Sequence, residues 1–197
     1  MSRVVRYLTH PQVRIDPQID IPRWPLNEVG RARVAALAAS GALGGTTRII
    51  SSDETKAMET AEPLAKALGC DMQIDAAMHE NDRSATGFLP PDEFEQVADA
   101  FFAAPEVSVR GWETAAQAQT RIVRAFETAL SSHGAGDLLL VGHGGVGTLL
   151  YCHLADLPIS REHDQGPGGG GCYFAFDAER RIPERGWLPM ERLYGAG

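Results

Sequence analysis

The stretch from residue 137 to residue 143 constrains the fold of this 197-residue chain more than any other segment. It reads Asp-Leu-Leu-Leu-Val-Gly-His, so its apolar side chains follow one another without the alternation expected of a strand exposed on one face. A continuous apolar run of this length is typical of a strand covered on both faces, as in parallel sheets. Two glycines then lead into an apolar stretch that reads as a helix through Leu154. The segment therefore predicts a strand–turn–helix unit of an α/β protein.

The rest of the chain alternates between strand and helix patterns. Further strands are predicted at residues 4–8, 48–51, 72–75 and 172–176, the last pairing with residues near Trp187. Further helices are predicted at residues 27–39, 53–68, 91–104 and 113–131, the first with Asn27 as its cap and Gly41 as its terminator. We therefore expect a three-layer α/β sandwich, a mainly parallel sheet with helices on both faces, formed by residues 1–197 as a single domain.

Composition and charge exclude several classes of function. Apolar residues make up 44% of the chain and charged residues 22%, which is typical of a folded globular protein. The net charge of −8 argues against a nucleic-acid partner. No apolar run reaches membrane-spanning length, and three widely spaced cysteines fit a reducing compartment. We expect a cytoplasmic protein without nucleic-acid or membrane partners, and the sequence leaves its oligomeric state open.

Two histidines stand at the ends of predicted strands. His10 follows the first strand, and His143 follows the apolar strand described above. Ligands of parallel sheets collect at the carboxyl ends of the strands. Gly144 and Gly145 let a ligand approach the backbone, and the free N–H groups of the following helix favour an anion. A lone strand-end histidine is usually only a satisfied polar group, but this pair, with the element described next, indicates a phosphate-handling site.

The third element is Ser-Ser-Asp-Glu-Thr-Lys-Ala-Met-Glu-Thr-Ala at residues 51–61, and with it the chain resembles the histidine phosphatase superfamily. That family includes cofactor-dependent phosphoglycerate mutases and acid-type phosphatases. Residues 51–61 fit its Ser-Ser-Pro-x-x-Arg-Ala-x-x-Thr-Ala pattern with Lys56 at the arginine, and residues 25–31 fit its Pro-Leu-Thr-x-x-Gly-type helix start. Thr9-His10-Pro11 stands at its Arg-His-Gly motif, and its late His-Gly-Gly is intact at residues 143–145. The resemblance runs from about residue 4 to residue 154.

This resemblance implies a covalent mechanism. His10 would attack phosphorus and become a phosphohistidine, and His143 would stabilise the charge of the phosphoryl oxygens. Glu80, in the loop after the third strand, would protonate the leaving oxygen. Asp82 lies close to it, and the alternative that Glu80 is a solvated loop residue stays open at this point.

Three substitutions depart from the family pattern. Thr9 replaces an arginine that would grip the phosphoryl group through two charge-assisted hydrogen bonds. Pro11 replaces a glycine and removes a backbone N–H beside the nucleophile. Lys56 keeps a positive charge but lacks the planar geometry of arginine. Each lost charge-assisted bond contributes roughly 1.5–3 kcal/mol, so turnover would fall by orders of magnitude.

Three loop arginines, at positions 14, 23 and 83, are alternatives for the missing charge. Arg14 is the nearest of them to His10 in sequence, although each is alternatively a solvated loop residue. We therefore expect Thr9, Lys56, Gly144 and Arg14 to bind the substrate.

The function favoured by these residues is that of a phosphomonoester hydrolase that acts on a small phosphorylated substrate without a metal or cofactor. A metal site formed by His10, His143 and Glu80 is disfavoured because no HxH or HExxH spacing is present. One alternative is a weakened or inactive member of the family that binds a phosphorylated or other anionic ligand. Another is a phosphoglycerate mutase-type phosphotransferase, which would need a more cationic pocket to hold two phosphoryl groups.

Overall fold

Six strands and five α-helices follow one another along residues 3–195, the part of the chain that the computed structural model describes. The strands are β1 (Val4–Thr9), β2 (Thr46–Ser51), β3 (Asp71–Ile74), β4 (Asp137–Gly142), β5 (Cys172–Asp177) and β6 (Leu188–Pro189). The helices are α1 (Glu28–Ser40), α2 (Thr55–Leu68), α3 (Pro91–Ala103), α4 (Ala115–Ser131) and α5 (Gly144–Leu154). Each strand and helix predicted from the sequence is present, and its ends lie within two residues of those predicted.

The strands form one sheet in the order β3-β2-β4-β1-β5-β6. The pairings of β3 with β2, β2 with β4 and β4 with β1 are parallel. Strand β5 runs antiparallel to β1 and to β6, which pairs Tyr173 with Leu188 beside Trp187. The predicted mainly parallel sheet is confirmed, with an antiparallel edge.

Helices cover both faces of this sheet. Helices α1 and α2 pack on one face, and α3, α4 and α5 contribute to the core on the other. Within β4, Leu138 and Leu140 belong to one core, whereas Leu139 and Val141 belong to the opposite one. Burial on both faces is therefore the reason for the continuous apolar run of β4. No helix within residues 3–195 combines the length and the apolar character needed to cross a bilayer.

Local sequence signals set the ends of the helices. The Asn27 side chain accepts a hydrogen bond from Gly30 N–H, and Gly41 ends α1 with a φ of 72°. Helix α4 begins two residues later than predicted because Thr114 forms a reciprocal capping box with Gln117. Helix α2 begins at Thr55 because the backbone of Glu54 is still extended.

Tyr7 joins the end of β4 to the core. Its buried ring stacks on Phe174 with ring centroids 5.5 Å apart. Its hydroxyl accepts a hydrogen bond from His143 N–H at 3.1 Å and donates one to the His143 carbonyl at 3.2 Å. A Cβ atom at Gly142 would lie 2.3 Å from this oxygen, so glycine is required there. The hydroxyl therefore satisfies the backbone N–H of a fully buried histidine and is a second donor to its carbonyl, which also accepts from Gly147 N–H at 3.1 Å.

We expect Tyr7→Phe to lower the free energy of unfolding by about 1–3 kcal/mol, because it leaves the buried N–H of His143 without a partner, whereas the His143 carbonyl still accepts from Gly147 N–H. Urea denaturation followed by circular dichroism measures the change. Tyr194→Phe is the control, since no hydrogen bond of the Tyr194 hydroxyl is found within the described residues. Equal losses in the two variants would contradict this role of Tyr7.

Candidate active site

The main chain of His10 is held on both sides. Its N–H donates to the Gly142 carbonyl at 3.0 Å and extends the β1–β4 ladder, and its carbonyl accepts from Gly171 N–H at 2.9 Å. A Cβ atom at Gly170, whose φ is 86°, would lie 2.1 Å from that carbonyl oxygen. Only glycine therefore allows the turn before β5 to approach His10 so closely.

The His10 imidazole is oriented by its own loop. Its Nδ1 lies 2.9 Å from the Pro11 carbonyl oxygen. Because a carbonyl only accepts, we assign the proton to Nδ1, which leaves the lone pair on Nε2. Burial and the positive charge of Lys56 lower the pKa of His10 to about 4. The ring is thus neutral at pH 7, with Nε2 available as a nucleophile.

His143 lies directly against His10. The two ring centroids are 5.3 Å apart, with an angle of 66° between the planes. His143 is fully buried, and its Nε2 lies 2.8 Å from the Ser52 hydroxyl and 3.6 Å from a carboxylate oxygen of Glu54. Its Nδ1 makes no hydrogen bond within the described part of the chain. Burial lowers the pKa of His143 to about 3, so this ring is also neutral at pH 7.

Lys56 is paired with an acidic residue of the same helix start. Both side chains are almost completely buried, and the Lys56 ammonium forms a short ion pair with Glu54 and donates to the Ile21 carbonyl at 3.0 Å. The second oxygen of Glu54 accepts from Glu80 N–H at 2.9 Å. Burial opposes the ionisation of Glu54, but the neighbouring His143 and Lys56 outweigh it and hold the pKa of Glu54 at about 2. The charge of Lys56 is therefore already balanced inside the protein.

Glu80 is a fixed part of this site. One of its oxygens accepts from Val146 N–H at 2.9 Å and the other from Gly145 N–H at 3.1 Å. Arg121 of α4 holds the loop in place by donating to the backbone carbonyls of residues 77, 79 and 80. The side chain thus lies at the N-terminus of α5 and not in solvent. The Glu80 carboxylate therefore accepts hydrogen bonds from the backbone N–H groups of α5 that the sequence predicts would bind an anionic ligand.

Gln165, which no sequence motif indicates as a site residue, contacts both Thr9 and Gly144. The buried Thr9 hydroxyl donates to Gln165 Oε1 at 2.7 Å and accepts from Cys172 N–H at 3.0 Å. A Cβ atom at Gly144 would lie 2.2 Å from Gln165 Nε2, so the amide packs directly on the start of α5. Gln165 therefore lies between two of the predicted substrate-binding residues.

A cleft of about 690 Å³ opens beside this cluster. Glu54 and Glu80 line it, and Arg83 is the arginine that its lining contains. The Arg83 guanidinium lies 4.9 Å from the centre of the Phe94 ring. Arg14 is exposed, and it is not part of the cleft lining. Arg83, and not Arg14, is thus the loop arginine that the fold brings to the site.

The cleft carries more negative than positive side chains. Its acidic lining residues are Asp20, Asp53, Glu54, Glu80 and Asp82. Across residues 3–195, no three His, Cys, Asp or Glu side chains are grouped so that they would hold a metal ion. The groups that the structure brings together at this site are two neutral imidazoles, a buried ion pair and a carboxylate held by backbone N–H groups.

Comparisons with known proteins agree with the fold. The family model of the histidine phosphatase superfamily (branch 1) matches residues 10–171. Among curated proteins, none matches the chain. A native mycobacterial glucosyl-3-phosphoglycerate phosphatase has a similar structure, with a TM-score of 0.75 and 20% identity over 95% of this chain and 97% of its own. The complex of that phosphatase with inorganic phosphate has a TM-score of 0.71 and 24% sequence identity, over 88% of each chain. Bacillus stearothermophilus YhfR has a TM-score of 0.74 and 21% sequence identity, over 88% of this chain and 90% of its own.

The depressed pKa of His143 predicts a loss of stability on acidification. Because the folded pKa of about 3 lies below the ordinary value of about 6.5, the unfolded chain takes up a proton that the folded chain does not. The free energy of unfolding should therefore fall as the pH drops below about 6.5, by about 1.4 kcal/mol per pH unit for this one histidine.

Urea denaturation at pH 7, 6 and 5 measures this slope. The His143→Gln variant should show a correspondingly shallower dependence. The corresponding loss from Glu54 is expected only at lower pH, since its folded pKa of about 2 lies below an unfolded value near 4.3. Equal slopes in the parent and the variant would show that His143 is protonated in the folded protein.

Proposed function

The chain belongs to the histidine phosphatase superfamily, and we propose that within it the protein is a phosphomonoester hydrolase that acts on a small phosphorylated substrate through His10. The observation that carries this proposal is the orientation of the His10 ring. Its Nδ1 is held by the Pro11 carbonyl, so the Nε2 lone pair remains free to attack. The three cysteines are free thiols, which supports a reducing compartment such as the cytoplasm.

The proposed reaction has two steps. His10 Nε2 forms a bond to phosphorus while the bond from phosphorus to the substrate oxygen breaks, and the Glu80 carboxyl gives its proton to that oxygen. Water then attacks the phosphohistidine, the Glu80 carboxylate accepts a proton from the water, and inorganic phosphate leaves. The first step requires the Glu80 carboxyl in its protonated form, and the second step restores that proton.

Glu80 has an oxygen that suits this role. One oxygen accepts from the N–H groups of both Asn81 and Val146, whereas the other accepts only from Gly145 N–H. The second oxygen therefore keeps a lone pair on which a proton can reside. Asp82, the neighbouring acid, is exposed and its carboxylate accepts from Ser84 N–H.

The phosphoryl group would be held by few fixed charges. His143, whose Nδ1 has no partner within residues 3–195, lies against the His10 ring, and Lys56 is close enough for its charge to lower the pKa of His10. Arg83 would approach from the cleft wall. Thr9 contributes no charge, and its hydroxyl is engaged with Gln165. We therefore expect slow turnover compared with a site that contains two arginines.

A second candidate function is binding of an anionic ligand without turnover. The specific observation in its favour is that Thr9 stands at the position of the family's arginine and its uncharged hydroxyl is engaged with Gln165, so it supplies no charge to stabilise a transition state. The mutase alternative is less well supported, because a site with this charge balance would have to hold two phosphoryl groups. The following two experiments separate hydrolysis from binding.

His10→Ala should lower the rate of 4-nitrophenyl phosphate hydrolysis by on the order of 10³-fold or more, since no other residue would form the covalent intermediate. The parent, quenched in alkali during turnover, should carry an acid-labile phosphohistidine that mass spectrometry locates at residue 10. His153→Ala, at an exposed position of α5, is the control and should hydrolyse like the parent. Unchanged hydrolysis by His10→Ala would eliminate this nucleophile, and binding without hydrolysis by the parent would favour the second candidate function.

Glu80→Gln should affect substrates according to their leaving groups. We expect a loss of about 10²-fold for an alkyl phosphate, whose alkoxide must be protonated, and a much smaller loss for 4-nitrophenyl phosphate. The measurement is kcat/KM for both substrates in the parent, Glu80→Gln and Asp82→Asn. A leaving-group effect in Asp82→Asn alone would assign the proton transfer to Asp82.

A further inference from the structure

The ammonium group of Lys56 is not accessible to an anion from solvent. It is about 3% exposed, and its ammonium contacts the Glu54 carboxylate and the Ile21 carbonyl. Glu54 is itself 6% exposed and faces the cleft. The only strong cation buried beside the two histidines is therefore already in contact with a protein carboxylate, as far as residues 3–195 are concerned.

The Glu54 carboxylate contacts His143 and Lys56, two groups that a phosphoryl group on His10 would also need. A group bonded to His10 Nε2 would lie beside the His143 ring, whose centroid is 5.3 Å from that of His10. The Glu54 carboxylate lies 3.6 Å from His143 Nε2 through one oxygen and bonds Lys56 through the other. The charges of Glu54 and Lys56 both act on His10 and on His143. A carboxylate and a phosphoryl group would thus use the same partners.

We infer that Glu54 is a specificity-determining residue whose carboxylate occupies the phosphoryl subsite, so that a phosphoryl group gains Lys56 only by displacing it. The inference rests on the proposed function, because it takes His10 as the point of attachment. A second anion placed beside Glu54 would be repelled at short range in a site from which water is largely excluded. The site therefore disfavours a phosphate dianion until the Glu54 carboxylate turns away or loses its charge.

The displacement has a feasible route. Glu54 precedes the first residue of α2 and its backbone is extended, so its side chain is not locked in a helical turn. Apart from Lys56 and the His143 ring, the partner of the Glu54 carboxylate within residues 3–195 is the N–H of Glu80, in the loop that also lines the cleft. Rotation of the side chain toward the cleft would free the ammonium without moving α2 or the sheet.

The test is the affinity of the full chain for inorganic phosphate and for vanadate, measured by calorimetry. Glu54→Gln keeps the shape and the acceptor for Glu80 N–H but removes the charge. We expect it to lower the phosphate Kd at least tenfold and to lower KM for 4-nitrophenyl phosphate more than it changes kcat. Glu62→Gln, at an exposed position of the same helix, is the matched control and should leave both values unchanged. The double variant E54Q/K56Q should lose the gain, since the gain depends on the freed ammonium.

Each outcome bears on the inference. An unchanged or raised phosphate Kd in Glu54→Gln would overturn it and would show that Glu54 only positions Lys56. A gain that persists in E54Q/K56Q would overturn it as well, and so would the absence of measurable binding in both the parent and Glu54→Gln. Should Glu54→Gln unfold, as thermal denaturation would reveal, Glu54→Ala provides the same comparison.

The outcome is separable from that of the proposed function. Unchanged hydrolysis by His10→Ala together with tighter phosphate binding by Glu54→Gln would remove the nucleophile but keep the anion subsite. Phosphohistidine at His10 together with unchanged binding by Glu54→Gln would keep the nucleophile and remove the role of Glu54.

Discussion

The parallel pairing of β1 with β4, with both faces of β4 buried, is the constraint on which the site depends. This pairing continues past the strands, because His10 N–H donates to the Gly142 carbonyl. Since parallel strands end at the same edge of a sheet, His10 and His143 leave neighbouring strands side by side. Tyr7 then fixes the backbone of His143 from below through two hydrogen bonds. The adjacency of the two imidazoles is thus a consequence of core packing and not of contacts between the rings.

Burial of this edge has an electrostatic consequence. A lysine that is almost completely buried must be neutralised or paired, since the cost of removing an isolated ammonium from water amounts to several kcal/mol. Glu54 supplies the paired charge two residues before Lys56. A guanidinium at this position would offer several donors and could serve an internal acceptor and a ligand at once. An ammonium held by a carboxylate and a backbone carbonyl offers much less to a ligand, so replacing arginine by lysine changes more than the strength of one bond.

The sequence predicts the backbone arrangement of the site better than it predicts how the charges in the site are paired. Periodicity, caps and the apolar run of β4 predict the order of the elements, and two strand-end histidines in a parallel sheet predict each other's position. The contacts of Glu54, Gln165 and Arg83 are decided by side-chain directions and by loops that approach from distant parts of the chain. The sequence does place an acid, Glu54, two residues before Lys56. At the start of a helix, however, a spacing of two residues does not by itself bring two side chains into contact. Glu80 illustrates the same limit, since its place at the N-terminus of α5 depends on Arg121 holding its loop.

The same contacts would allow the proposed nucleophile His10 to coexist with a weakly cationic site. Catalysis by His10 needs a neutral ring with a directed lone pair, and burial together with the nearby positive charge of Lys56 provides the neutral form. Stabilising a phosphoryl transition state needs positive charge that is not already neutralised. In this chain Glu54 and Glu80 satisfy the donors that would serve that second purpose. The proposed nucleophile and the proposed anion subsite are therefore separable, because the backbone around His10 fixes the first, whereas two carboxylates, each removable by a single substitution, would control the second.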